Sequence, residues 1–224
     1  MSFNARRIPQ EIRRKLEKFL GRSFSSSRYW DERYRHGGNS GPGSYGQLAT
    51  FKAQVINEYV ESRAIASVIE YGCGDGNQLA LANYPAYIGL DVSLEAIRRC
   101  FERHGTDNSK SFYLYDPDTF ADYRSLFSAD LALSLDVIFH LTEDHVYENY
   151  MRHLFRSARR AVIIYSSNMI SKSPAIHVRH RVFTDWVSRN AAHFTLAKKI
   201  PNPYPYSPRD SNTSFSDFYI FEQT

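Results

Sequence analysis

Cysteine is scarce in this sequence, with two among 224 residues, and no long hydrophobic run is present. Cys73 and Cys100 are too few for a disulfide framework or a cysteine-based metal cluster. The longest apolar candidate, LALSLDVIFHL, is interrupted by Asp136 and His140 and falls short of a membrane span. The first residues, MSFNARRIPQEIRRKLEKFL, lack the apolar core of a secretion signal, and Glu11 and Glu17 argue against an organellar transit peptide. Together these absences predict a reducing, cytoplasmic setting. No internal repeat and no interdomain linker is visible.

What remains is ordinary for a globular protein: 42% hydrophobic residues, 23% charged, and a length that suits one domain with a substantial core. The net charge of +4 is unevenly spread. Residues 1–35 hold ten Lys/Arg against four Asp/Glu, and the rest of the chain holds eighteen against twenty. Such an arm suits nucleic acid, an anionic membrane surface or a phosphorylated substrate, although a solvated helix face is the favoured account of it.

Ile12, Leu16, Phe19 and Leu20 form one helical stripe over residues 10–20. HGGNSGPGSYG, residues 36–46, has five glycines and a proline and excludes regular structure. Residues 47–63 read as a second helix. Beyond it, apolar strands near 67–71, 86–90, 111–115, 130–135 and 160–165 alternate with helical stretches near 77–83, 93–104, 119–127 and 143–157. This alternation predicts an α/β fold, with a doubly wound, mostly parallel sheet covered on both faces. After a helix near 183–191 come two strand-like runs, HFTLAKKI and TSFSDFYIFE, joined by a proline-rich connection.

VIEYGCGDGNQL, residues 68–79, leads from the first strand into Gly72, Gly74 and Gly76. Glycine lets the backbone approach a ligand and adopt positive φ. The carboxyl end of a strand in an open α/β sheet is where ligands sit. A dinucleotide fingerprint, G-x-G-x-x-G, would place its third glycine at the position of Asn77. Glu70, two residues before the first glycine, suits a cationic ligand better than a pyrophosphate. Asp91 closes the second strand, where an acid reaches ribose hydroxyls. Asp116, followed by Pro117, closes the third and is a candidate for an adenine amino group.

Glu-x-Gly-x-Gly-x-Gly, then Asp91, then Asp116, resembles the class I S-adenosylmethionine-dependent methyltransferases over roughly residues 45–224. The resemblance implies a Rossmann-like seven-stranded sheet with an antiparallel last strand, preceded here by an N-terminal helical extension. It divides the chain into a basic helical extension with a glycine-rich lid, 1–46, and a methyltransferase domain, 47–224. It implies S-adenosylmethionine as cofactor, with Glu70 and the backbone of Gly72 and Gly74 at the methionine part. Asp91 and Val92 then lie at the ribose and Asp116 and Pro117 at the adenine, with Cys73, Gly76, Leu135 and Tyr45 bordering the same site. Cys73 also reads simply as a small packing residue.

A sulfonium donor needs an aligned acceptor and, for a hydroxyl, a base. By the resemblance the fourth strand ends beside the transferred methyl group, near Leu135 and Asp136. His140 is the candidate base, with Asp136 as its catalytic companion; a bracing role is the competing explanation. No metal is expected, because Asp136, His140 and Asp144 lack a specific ligand spacing. AIHVRHRVF, with His177, Arg179, His180 and Arg181, suits either an anionic group on the acceptor or a charged surface loop. Tyr29, Trp30, Tyr34 and Tyr45 flank the glycine-rich segment and predict a lid. LDVIF carries no Asn/Asp-Pro-Pro-aromatic motif after the fourth strand, which argues against methylation of nucleic-acid bases. The expected acceptor is a small polar molecule, for instance a sugar hydroxyl in surface-polysaccharide or secondary metabolism, with no stable nucleic-acid partner. An RNA or protein methyltransferase and a non-catalytic cofactor-binding module stand as alternatives. The sequence leaves the oligomeric state unassigned.

Overall fold

The computed structural model describes residues 24–224; the helix expected over residues 10–20 and most of the basic arm lie outside the described residues. The first described helix, α1 (Ser26–Arg35), is capped by Ser25, whose hydroxyl accepts from the Arg28 amide. A glycine-rich stretch with one short turn, Pro42–Ser44, leads to α2 (Gly46–Ser62). Strands β1 (Val68–Tyr71), β2 (Tyr87–Asp91), β3 (Lys110–Leu114), β4 (Ala129–Leu135) and β5 (Ala158–Ser166) follow, with α3 (Leu94–His104) after β2 and α4 (Asp144–Ser157) after β4. Helix α5 (Phe183–Asn190) and strands β6 (Phe194–Ile200) and β7 (Asp217–Gln223) complete the fold.

The seven strands order as β3-β2-β1-β4-β5-β7-β6. The first five are parallel, and β7 runs antiparallel between β5 and β6. Both faces are covered, which is why β1 is buried at all four residues and β5 at its last six. Alternate strand residues feed two cores. Ile69, Ala132 and Ile164 meet α4 and α5 through Met151, Leu154 and Trp186. Val68, Leu131 and Ile163 meet α2 and α3 through Ile56, Val60 and Ile97.

Two expected helices are altered. Residues 77–83 form only a short 3₁₀ turn, Gln78–Leu81. Residues 119–127 form no helix. There the Asp122 carboxylate accepts from the amides of Leu126 and Phe127 at 2.9 and 2.7 Å, and Ser125 takes a φ of 54°. An aspartate that binds local amides offers the backbone an alternative to the helix. The strand order puts β1 where connections diverge to β2 on one side and β4 on the other. That crevice, at the carboxyl ends of the strands, is the ligand position of an open α/β sheet.

Candidate functional site

A cavity of about 840 Å³, partly open to solvent, occupies this crevice. Its floor is the turn after β1. Gly72 and Gly74 have φ of 82° and 60°. A Cβ on Gly72 would stand 2.5 Å from Val137 Cγ2, and one on Gly74 2.3 Å from Ser40 Oγ. The turn is therefore closed to side chains on both conformational and steric grounds.

Two buried acids flank the turn. Glu70, 4% exposed, accepts from the Tyr87 hydroxyl at 2.6 Å through Oε2. Burial pushes its pKa up to about 7, against the Tyr87 hydrogen bond and the Lys52 charge. Asp91 accepts from the amides of Gly74 and Ser93, both at 2.9 Å, one on each oxygen. Burial raises its pKa to about 6. Each Asp91 oxygen keeps a lone pair for further donors such as vicinal hydroxyls.

His140 lines the cavity from the short turn after β4. Its Nδ1 lies 2.9 Å from the His177 carbonyl, which selects the tautomer protonated at Nδ1 and leaves the Nε2 lone pair free. Burial lowers its pKa to about 4, partly offset by that carbonyl. Trp30 meets it edge-on at 4.8 Å, and the His177 ring stacks between His140 and Tyr29. Asp136, with φ of 58°, accepts from Lys52 Nζ and Ser216 Oγ, both at 2.9 Å. Both of its oxygens are thus engaged by the protein itself, which suits bracing better than proton transfer.

Of the residues expected at the site, Glu70, Gly72, Cys73, Gly74, Asp91, Val92, Pro117, Leu135, Asp136 and His140 line the cavity. Three lie elsewhere. Gly76 is buried against α3, where its carbonyl meets His104 Nε2 at 2.9 Å. Asp116 is exposed, its carboxylate accepting from the Asp118 amide, and Tyr115 and Pro117 line the cavity instead. The Tyr45 hydroxyl donates to the buried Asp75 carboxylate, at 2.8 Å, and Tyr45 does not line the cavity. Arg179 and Arg181 are occupied by Asp144 and by the carbonyls of Leu141 and Thr142, so they brace the loop after β4. Among the described residues no group of three or more His, Cys, Asp or Glu is arranged to hold a metal.

The front segment roofs the cavity. Ser26, Trp30, Tyr34 and Ser40 line it. Arg99 on α3 donates to the carbonyls of Gly38 and Tyr34 at 2.6 and 2.8 Å. Ser40 Oγ meets Asp75 at 2.8 Å, and the Ser26 amide meets Glu143 at 2.8 Å. Sequence reasoning missed Lys52, Gln78, Asp75 and Ser26. Asp75 and Gln78 fall within the glycine-rich stretch VIEYGCGDGNQL, which is the signal that could have found them; Lys52 and Ser26 carried none.

Comparison with solved structures relates this arrangement to known proteins. The N-methyltransferase NodS from Bradyrhizobium japonicum, in complex with S-adenosyl-L-homocysteine, aligns with a TM-score of 0.68 at 14% identity, covering 89% of this chain and 99% of that one. Magnesium protoporphyrin IX methyltransferase (ChlM) from Synechocystis, with bound SAM, aligns at 0.63 and 15% identity, covering 90% and 99%. The methyltransferase domain of bacterial-CtHen1-C aligns at 0.61 and 20% identity, covering 79% and 99%. The fold is that of the class I S-adenosylmethionine-dependent methyltransferases. No protein-family model and no curated sequence matches the chain. The residues of this class I fold suit the cofactor of the two ligand-bound neighbours: a glycine turn closed to side chains and buried carboxylates for a cationic nucleoside.

Proposed function

We propose that the chain binds S-adenosylmethionine and methylates a hydroxyl of a small polar molecule, for instance a sugar. The observation that carries this reading is His140, a neutral imidazole lining the cavity with its Nε2 lone pair free. When bound, the cofactor supplies a methyl group already activated on a sulfonium. Glu70 and the backbone of Gly72 and Gly74 hold its amino-acid side, and Asp91 accepts from the ribose hydroxyls. His140 takes the acceptor's hydroxyl proton at Nε2 as the new O–C bond forms. Ser26, in the roof, is tied to Glu143 through its amide at 2.8 Å. Trp30, one turn along α1, gives a sugar ring an apolar wall. The front segment serves as the lid that excludes water.

The cofactor half is tested by thermal unfolding. S-adenosylhomocysteine at a hundred times its Kd stabilises by about 2.7 kcal/mol, which for a chain of this length raises Tm by roughly 5–10 °C. NAD is expected to leave Tm unchanged, because its pyrophosphate would meet buried carboxylates. A larger shift with NAD would overturn the assignment. The acceptor half is tested by transferring labelled methyl groups into a cell extract fractionated by size. Label in the low-mass fraction supports the reading. Label in RNA or protein would replace the acceptor class, and absence of transfer would favour a binding module without turnover.

A further inference from the structure

The sheet has two edges, and they differ. β6, at one edge, carries exposed Lys198 and Lys199, and its pairing with β7 shifts register between Leu196 and Lys198. Lysines and bulges on an edge strand discourage pairing with a further strand. β3, at the other edge, has neither defence. Its register with β2 runs unbroken over five residues, and its one lysine, Lys110, is held by Asp107.

Ser109 accepts from the Tyr87 amide and Tyr115 donates to the Asp91 carbonyl, so alternate residues from 109 to 115 face β2. Phe112 and Leu114 therefore turn their amides and carbonyls outward. Among the described residues no strand pairs with this side of β3 and no hydrogen bond reaches these four groups. The surroundings are apolar. Tyr113 and Leu114 are exposed on the strand itself, Leu94 and Phe101 on α3, and Tyr123 and Leu126, at 87% and 74%, in the loop after β3. Phe101 meets Phe112 edge-on at 5.6 Å, which joins the helix residues to the strand. Arg98, on the same stripe of α3, already has Glu95 at 3.7 Å.

An open, apolar edge strand is a template for another strand. We infer that β3 pairs antiparallel with β3 of a second copy of this chain, across a two-fold axis at Tyr113, joining two seven-stranded sheets into one. The strand itself sets that axis. Centred on Tyr113, Phe112 of each copy faces Leu114 of the other and the two exchange amide–carbonyl hydrogen bonds, so the four open groups of each chain are satisfied. Tyr113 meets its own copy as a close cross-strand aromatic pair. Lys110 comes opposite Asp116, an exposed carboxylate, at both ends of the pairing. An axis at Phe112 would set Lys110 against Leu114 and Asp116 against Asn108, leaving the charges unmatched. A two-fold axis needs one self-complementary surface, and β3 carries both halves of the match, which an unrelated strand would have to reproduce.

The test uses the full chain. Sedimentation equilibrium at about 10 µM is expected to give twice the mass of one chain, from a dimer Kd of about 1 µM or tighter. Tyr113→Lys sets two ammonium groups face to face at the axis and is expected to weaken the dimer about a hundredfold. Lys110→Glu and Asp116→Lys are each expected to weaken it about tenfold, since each clash occurs twice, and the two together to restore it. Tyr113→Cys, treated with oxidised glutathione, is expected to give a disulfide-linked dimer, because facing residues of a non-hydrogen-bonded pair lie within disulfide reach. Leu196→Cys, on the β6 edge, is expected to stay unlinked, and the buried Cys73 and Cys100 do not compete. If Tyr113→Lys loses its circular-dichroism signature of folding, the charge swap and the cysteine link decide. A wild-type chain that stays monomeric up to about 100 µM would overturn the inference, as would a dimer that survives Tyr113→Lys and leaves Tyr113→Cys unlinked. Residues 1–23 are the other candidate cover for this edge. Their deletion is expected to leave the dimer intact. A chain that is monomeric at full length and dimerises only after the deletion would give the edge to the arm instead.

Discussion

At the scale of single residues, burial decides which protonation states the site uses. Burial holds His140 at about 4, below the ordinary histidine value of 6.5, so it is neutral throughout the physiological range. The acid limb of kcat, measured at saturating cofactor, is expected near pH 4, and His140→Ala should lower kcat by about 10²–10⁴-fold with S-adenosylhomocysteine affinity unchanged. An inflection near 6.5 would point to an exposed histidine instead. Because its folded pKa is depressed, the His140 contribution to stability is full above 6.5 and is lost as pH falls through 4. Glu70 has the opposite sign. Its folded pKa of about 7 exceeds the ordinary 4.5, so its contribution is full below 4.5 and is lost as pH rises through 7. A bound ammonium group favours the ionised form. Cofactor binding should therefore release a proton near neutrality, and affinity should fall below pH 7. Calorimetry in buffers of different ionisation heat checks this; a pH-independent affinity with no proton release would contradict it. Glu70, Gly72, Gly74 and Asp91 were legible in the sequence because a local turn and strand ends define them. Lys52 was not, since its partner Asp136 stands 84 residues away.

At the scale of elements, the central strands β1, β4 and β5 were legible because a strand buried on both faces shows as an apolar run whatever its neighbours do. Periodicity failed at residues 119–127, where the Asp122 side chain competes with the helix. The glycine-rich front segment could be read as irregular, but its fixed position over the cavity comes from long-range contacts. Arg99 ties it down through two carbonyls, Gly38 and Tyr34. Asp75 adds Ser40 and Tyr45, and these hydrogen bonds lower its pKa despite burial, which acts to raise it. Arg99→Ala removes both carbonyl contacts at a cost of roughly 1–3 kcal/mol, the scale of hydrogen bonds to a charged group. Because the cost falls on a roof rather than on the sheet, it is expected as faster hydrogen exchange over residues 26–45 and faster release of S-adenosylhomocysteine, about tenfold, with a small change in Tm. Unaltered protection in that segment would show that α1 is held by its aromatic contacts alone.

At the scale of the whole molecule, the N-terminal arm and the cavity carry charge of opposite sign. The excess of positive charge belongs to residues 1–35, while the remaining 189 residues hold eighteen Lys/Arg against twenty Asp/Glu. Inside the cavity the charged side chains are chiefly acidic: Glu70, Asp91 and Asp136 against Lys52 alone among Lys and Arg. A polynucleotide gains affinity by exchanging counterions for lysines and arginines along a track. Here Arg179 and Arg181 are already bound to Asp144. Arg99 is bound to the front segment's own carbonyls. The chain is therefore expected to bind RNA and DNA only weakly, through its basic arm, with an affinity that fades between about 50 and 200 mM salt. It should pass no label from methyl-labelled cofactor to either. Filter binding across that salt range, with the label followed in parallel, checks both points. Deleting residues 1–23 separates the two ideas further, since it should abolish the residual binding while leaving small-molecule methylation intact. Tight RNA binding that survives the deletion, together with label in RNA, would mean that the acidic cavity accepts a flipped base and that a nucleic acid is the acceptor after all.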